Sequence, residues 1–445
     1  MSSKINNKRY FIRTFGCQMN KNDSELMELS LSGSGFIKTD DPDKAEILIF
    51  NTCSVRLHAE ERAVSNIRSA RKKDNHYNRT IVLTGCMAQR IGKDLLEKKI
   101  VDLIIGPFQS PDIGKIICQF LDCKEENIYL SQSEKDFVTR INPALALSKS
   151  DSSWHQYVTI THGCDNFCAY CIVPYVRGHL ISLSSSVIID YIKQLASKGI
   201  MEITLLGQNV NQYGMDSGDI PFYKLLARAA EIKGICRINF ITSHPKDFDE
   251  NIIHIIKDYK NISRAIHLPL QSGSNRILTL MNRGYDFHKY MSIIEILDRS
   301  LDSYSISTDI IVGFPGETVE DFNKTLEAVK SIRFDEAFMY AYSPREGTSA
   351  YQLKEIITKE EKLQRLGSLI EIQRDVSRKK LSLRINSAEE MIVERLSKKL
   401  NNEVMGKTFL NHPVVTSGDS EDIGKKVKII ISSLKGSTLY GKRIE

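Results

Sequence analysis

The run His162-Gly163-Cys164-Asp165-Asn166-Phe167-Cys168-Ala169-Tyr170-Cys171 is the densest cysteine grouping in this 445-residue chain. It spells C-x3-C-x2-C and follows directly on a β-type stretch, Tyr157–Thr161. Three thiolates this close can hold three irons of a cubane cluster and leave the fourth without a protein ligand. An open iron can chelate a substrate. The alternative is zinc, which in a structural site wants four ligands. No fourth cysteine lies nearby, although His162 or His179 could supply one. The cluster reading is the stronger.

Outward from that run, strand-like and helical patterns alternate. Candidate strands are Tyr157–Thr161, Glu202–Leu206, Arg237–Thr242, Arg264–Leu268, Ser305–Val312 and Glu336–Tyr342. Helical patterns lie between them, among them Ser185–Ser197, Tyr223–Lys233 and Val319–Ser331. Six β/α units predict a partial parallel (β/α)6 barrel whose working face is the carboxyl end of the strands. Upstream, strands at Tyr10–Thr14, Ala45–Asn51, Thr80–Thr84 and Val101–Ile105 alternate with helices at Asp23–Ser32 and His58–Lys73. That pattern predicts an N-terminal open parallel α/β sheet. Ser131–Trp154 is polar without a clear period and reads as a linker. Leu353–Leu381 reads as a long amphipathic helix or helix pair. Five short β-like runs after Ala388, punctuated by Gly406, Gly418, Gly424, Gly436 and Gly441, predict a small β-barrel. The expected fold class is therefore a multidomain α/β chain. Its expected divisions are 1–126, a linker at 127–150, a core at 151–377 and a tail barrel at 378–445.

Cys17, Cys53 and Cys86 are far apart in sequence, yet each falls at or just past the carboxyl end of a predicted strand. In an open parallel sheet the ligand crevice lies beyond those ends. Gly16 and Gly85 would let backbone approach a bulky group closely. Spacing alone leaves a second three-cysteine site and three unrelated buried thiols equally open. Cys118, Cys123 and Cys236 have no comparable setting and read as buried or idle thiols.

Composition bounds the class. Hydrophobic residues make up 41% and charged residues 26%, as in ordinary globular chains. The longest clean apolar run is about six residues, against the roughly 18–20 that span a bilayer. The first residues carry no apolar core, so no secretory signal is expected and the expected compartment is the cytoplasm. Nine cysteines there are not expected to pair as disulfides. The net charge of +6 sits wholly in the last 68 residues, which hold 14 Lys/Arg and 8 Asp/Glu. A compact basic tail suits a polyanion, with nucleic acid the usual one. There is no P-loop and no full G-x-G-x-x-G, so nucleotide hydrolysis and NAD chemistry have no support.

The C-x3-C-x2-C spacing, with Tyr170 before its third cysteine, resembles the radical S-adenosylmethionine (SAM) enzymes. The resemblance narrows to the methylthiotransferases through Thr14–Asn20 with Asp23-Ser24-Glu25, and through Asn51–Arg56. It continues at Ile172–Tyr175, Arg177-Gly178, Leu206–Val210, Thr242–Pro245, His267–Pro269, Gln271–Ser274, Gly313–Glu317 and Tyr342–Arg345. The Gln18-Met19-Asn20 run resembles the MiaB-type branch, which makes 2-methylthio-isopentenyladenosine in tRNA. The last 68 residues look like a TRAM domain, a small RNA-binding barrel, with Gly406-Lys407-Thr408 and Leu439-Tyr440-Gly441 fitting it. Departures are His179-Leu180, where the family usually has Arg and an acidic residue, and Glu346 in place of the usual proline.

The resemblance implies two 4Fe–4S clusters. Cys164, Cys168 and Cys171 would hold the SAM-binding one, and Cys17, Cys53 and Cys86 an auxiliary one. It implies SAM as cofactor, a tRNA anticodon stem-loop as partner, and an electron donor such as flavodoxin or ferredoxin. A monomer with no membrane association is expected. Polar residues at the barrel's strand ends, Gln208, Ser243, Gln271 and Asp309, are the expected SAM contacts. Arg177 reads equally as a SAM or substrate contact and as a surface salt bridge; Tyr170 and Phe167 read as packing around the cluster. In the family, one SAM methylates a sulfur at the auxiliary cluster and a second yields the radical that abstracts hydrogen from carbon 2 of the base. Two other functions compete. One is a sister enzyme acting on a ribosomal protein or on threonylcarbamoyladenosine in tRNA. The other is a non-catalytic iron–sulfur RNA-binding regulator.

Overall fold

The computed structural model describes residues 7–54, 57–74, 79–123, 126–130, 154–398 and 402–444. The core of the N-terminal part is set by strand β3, Ile47–Thr52, whose six residues are all buried. Ile47 and Ile49 face one apolar layer, and Leu48 and Phe50 face the other. A strand covered on both faces reads as a continuous apolar run. Around it lie β1 (Arg9–Thr14), β2 (Ile37–Lys38), β4 (Thr80–Gly85), β5 (Leu103–Ile105) and β6 (Ile128–Tyr129). The sheet is parallel, in the order β2-β1-β3-β4-β5-β6. Helices α1 (Gln18–Gly33), α2 (Leu57–Lys73), α3 (Cys86–Glu97) and α4 (Ile113–Cys123) connect and cover it.

β6 falls inside the stretch expected to be linker, because Ile128–Tyr129 pairs with β5. Residues 131–153, which hold the rest of that expected linker, lie outside the described residues, as do Val55 and Arg56. α3 and α4 carry no helix expectation from sequence. Both are short, and α3 begins on the cysteine itself.

The central part is a curved parallel sheet. β7 (His155–Thr159), β10 (Glu202–Leu206) and β11 (Arg237–Ile241) form one half. β12 (Ala265–His267), β13 (Ser305–Val312) and β14 (Glu336–Ala341) form the other. An Ile238–Ile262 bridge joins the halves. β8 (Thr161–His162) and β9 (Ile181–Ser182) form a small antiparallel pair flanking the cysteine loop. The helices are α5 (Val173–Arg177), α6 (Ser185–Ser197), α7 (Phe222–Ala230), α8 (Asn251–Asp258), α9 (Asn275–Leu280), α10 (Phe287–Ser300) and α11 (Val319–Ile332). α12 (Lys359–Ser382) starts later than the apolar period suggested, because Thr358 caps it through the Glu361 amide. It runs unbroken through Ser377 and Arg378, and Leu381 packs into the C-terminal core.

That core belongs to a closed five-stranded barrel, β15 (Ala388–Leu396), β16 (Glu403–Thr408), β17 (Pro413–Ser417), β18 (Lys426–Lys435) and β19 (Thr438–Arg443). Gly406 is required there, since a Cβ would stand 1.9 Å from the Ile392 carbonyl oxygen. The end of β16 and the segment that follows it dock on the amino ends of the central strands. Arg237 donates to the Lys407 and Thr408 carbonyls, and Ser305 donates to that of Leu410. His412 meets Asp335 at 3.1 Å. The small barrel therefore sits at the end opposite the cysteine loop.

Trp154, the only tryptophan, reports on this docking: a Cβ on Gly424 would lie 2.7 Å from its Cβ. Against the upward push of burial, the His412 hydrogen bond and the Lys380 charge hold Asp335 below its usual carboxylate range. A depressed folded-state pKa stabilises above about pH 4, the unfolded value, and that stabilisation is lost as pH falls through the folded value. Trp154 emission is expected to shift red below about pH 4, and Asp335→Asn to show the shift already at pH 7. Identical emission from variant and wild type throughout the titration contradicts this.

Candidate active site

Three strand ends bring the first cysteine group together. Cys17 directly precedes α1, Cys53 follows β3 and Cys86 opens α3 after β4. Gly16 sits at φ +112°, and a Cβ there would lie 2.3 Å from the Cys53 Cβ. Gly85, at φ +85°, passes equally close to the Thr52 carbonyl. These two glycines let the three loops converge. Asparagines lock the loops: Asn51 donates to the Asn20 carbonyl at 2.7 Å and Asn20 to that of Phe15 at 3.0 Å. The Cys53 hydrogen bond, aided by the Arg177 charge, overcomes burial and pulls the Cys17 thiol down to about 6. Burial pushes the Cys86 thiol up, against the pull of Arg177.

The sequence singles out Arg177, but the fold gives it a different role. It is neither a surface salt bridge nor exposed to a ligand; it is buried and pinned on four sides. Its Nε donates to Cys86 Sγ at 3.2 Å, and Nη2 donates to Asp23 Oδ2 at 2.6 Å and Asn20 Oδ1 at 3.1 Å. Nη1 meets His162 Nε2 at 2.9 Å. Burial, then the Arg177 charge, hold His162 well below its usual pKa, so it is neutral. The residues on the sequence side of this reading were all visible, but only the fold shows that Asp23 and Arg177 meet.

The second group lies on the loop after β8. Gly163, at φ +74°, passes so close to the His179 carbonyl that a Cβ would stand 1.8 Å from it. Cys168 is buried; Cys164 and Cys171 are partly buried. Burial, and the nearby Cys168, push Cys164 up to about 11 and Cys171 up to about 12. Arg283, absent from every motif read in the sequence, donates to Cys168 Sγ at 3.2 Å and to Tyr170 Oη at 3.3 Å. His244 Nε2 lies 3.7 Å from Cys168 Sγ. Tyr170 is thus anchored beside the cysteines, whereas Phe167 is 39% exposed and meets Tyr175 edge-on. His179, which departs from the family pattern, bonds Asp165 at 2.6 Å.

The two groups are neighbours. Cys86 packs with Ile172 and Val176, immediately downstream of Cys171. Among the described residues, no three His, Cys, Asp or Glu side chains are arranged to hold a single metal ion. An all-thiol donor set suits iron–sulfur clusters.

At the carboxyl end of the barrel, three of the four expected SAM contacts carry a buried oxygen without a partner: Gln208 Oε1, Ser243 Oγ and Gln271 Oε1. Buried polar atoms left this way fit a ligand. Gln271 (φ +69°) and Thr242 (φ +78°), which precedes Ser243, hold left-handed backbone, the strain that collects at functional sites. Asp309 differs, because its Oδ2 is taken by His267 at 3.0 Å.

Comparison with known proteins agrees with this geometry. Residues 158–329 match the Radical SAM superfamily and residues 9–106 match UPF0004. The first span contains one cysteine group and the second contains the other. The fold and site define a radical SAM enzyme. The tRNA-2-methylthio-N(6)-dimethylallyladenosine synthase of Clostridium botulinum (strain Okra / Type B1) is 39% identical over 98% of this chain and 97% of its own length. The synthase of that name from Thermoanaerobacter pseudethanolicus is 39% identical over 100% of this chain and 94% of its own. This chain belongs to the family of tRNA-2-methylthio-N(6)-dimethylallyladenosine synthases. The solved radical SAM methyltransferase TsrM from Kitasatospora setae shares the fold, with TM-score 0.58 at 12% identity, over 78% of this chain and 77% of its own.

Gly16→Ala adds a Cβ at a strained φ against Cys53, and is expected to cost about 1–3 kcal/mol in urea unfolding. Gly33→Ala, where a Cβ meets nothing within 4 Å, is expected to be neutral or slightly stabilising. Equal effects at the two positions would contradict the close approach.

Proposed function

We propose that this protein adds a methylthio group to carbon 2 of the isopentenylated adenosine next to the anticodon of tRNA. Adjacent three-cysteine groups, in a chain of this family, are the observation that carries the reading. Cys164, Cys168 and Cys171 would hold a 4Fe–4S cluster that binds SAM, and Cys17, Cys53 and Cys86 an auxiliary one. The C–H bond at carbon 2 is unactivated, and these cofactors supply the radical and sulfur chemistry it needs.

The chain's own residues bind and orient. Gln208, Ser243 and Gln271 offer oxygens to SAM, with Asp309 alongside. Arg177 and Asp23 fix the first cysteine group against the second. Cys86, Ile172 and Val176 pack the two groups against each other. The target base leaves its stack to reach this seam. In this reading residues 1–126 carry the auxiliary cluster, 127–150 connect, 151–377 form the radical SAM core and 378–445 bind RNA. The basic barrel grips phosphates. It sits at the amino ends of the strands, so the bound stem runs along the barrel wall. Eight-residue β13 alone spans roughly 26 Å. A monomer in the cytoplasm, reduced by a flavodoxin- or ferredoxin-type donor, completes the assignment.

The test is nucleoside analysis of tRNA from cells with and without this gene. Loss of the methylthio group, with isopentenyladenosine accumulating, is the expected result. Unchanged methylthio-isopentenyladenosine would overturn the assignment.

A further inference from the structure

Each cysteine group has one thiol that accepts a hydrogen bond from a buried arginine. Arg177 Nε reaches Cys86 Sγ at 3.2 Å and Arg283 Nη1 reaches Cys168 Sγ at 3.2 Å. Both arginines are almost wholly buried, at 2% and 4% exposure. They differ in their other partners. Arg177 meets the Asp23 carboxylate at 2.6 Å, so that pair carries no net charge. Arg283 donates to the Tyr170 and Tyr285 hydroxyls and the Pro269 carbonyl, and lies over the Tyr285 ring at 5.3 Å. None of these partners is a carboxylate.

Near Cys53, Arg345 and Arg90 are matched by Glu60 and Glu61. Near Cys164 stand two carboxylates: Asp247, which accepts from Asn166 at 2.9 Å and Asn209 at 2.7 Å, and Asp165, which bonds His179 at 2.6 Å. The arginine that touches Cys168 thus has no carboxylate in direct contact, whereas the one that touches Cys86 is paired with Asp23. Net charge and hydrogen bonds to sulfur are the levers that set an iron–sulfur potential.

We propose that Arg283 and Asp23 are positioning residues for the electron: Arg283 raises the reduction potential of the cluster at Cys164, Cys168 and Cys171, and Asp23 cancels the same effect of Arg177 on the cluster at Cys17, Cys53 and Cys86. This rests on the functional reading above. The step is a one-electron transfer: the donor protein loses one electron and the favoured cluster gains it. A charge near a buried site acts strongly because little water screens it.

The test is an EPR-monitored redox titration of the reconstituted full chain. Each cluster is isolated by replacing the other group's three cysteines with alanine. Arg283→Gln keeps hydrogen-bond donors but removes the charge, and is expected to move the midpoint of its cluster to more negative potential. Arg283→Lys is expected to stay near wild type. Asp23→Asn uncovers the Arg177 charge and is expected to move the other midpoint to more positive potential, while Asp23→Glu is not. Unmoved midpoints in Arg283→Gln or Asp23→Asn with full iron content overturn the proposal, as does a shift in Arg283→Lys as large as that in Arg283→Gln. If Arg283→Gln does not fold, the Arg283→Lys and Asp23→Asn arms decide it. Wild-type chain that takes up no cluster contradicts the functional reading instead.

Discussion

A single buried ion pair, Arg177 with Asp23, holds the two halves of the site together. Asp23 lies on the first helix of the N-terminal sheet, and Arg177 lies six residues beyond Cys171. Both side chains are almost entirely dry. Taking two charges out of water is costly, and only close geometry with further hydrogen bonds offsets it. Here Asn20, His162 and Cys86 use three of the four remaining donors of the guanidinium. Such a pair gives limited stability relative to apolar packing, but it fixes one arrangement, since any slip would strand a charge.

The rest of the interface follows the same line. Asn22 donates to Thr159 at 2.9 Å and Gln156 to Glu25 at 2.9 Å, so α1 lies against the first barrel strand through polar contacts. The sheet's carboxyl ends and the barrel's cysteine loop then face one another. At the far end the C-terminal barrel closes the amino ends of the strands through Arg237, Ser305 and Asp335. The molecule thus has a chemical end and a docking end, joined by the walls of one parallel barrel.

Much of this was legible in the sequence. β10 and β13 and helix α6 fall on their expected bounds, because each is a clean periodic run with turn residues at both ends. The five tail strands were readable from their glycine punctuation. Less legible were β2 and β6, two residues each, which exist only because a neighbouring strand offers an edge. Helix α3 hid because its N-cap is Gly85, which has no side chain to make a capping bond. At the site, spacing pointed to Cys164, Cys168 and Cys171 by itself. Cys17, Cys53 and Cys86 needed the resemblance, since their convergence is a property of strand order. Arg283 carried no local pattern, and the 154-residue separation of Asp23 and Arg177 put their pairing beyond any sequence window.

The central claim is that Asp23 and Arg177 act as one buried unit joining sheet to barrel. A double-mutant cycle with Asp23→Asn and Arg177→Met, read by urea unfolding of the full chain, tests it directly. A coupling of about 2–4 kcal/mol is predicted for a close, desolvated charge pair. A coupling below about 0.5 kcal/mol, as between exposed charges, would contradict the account.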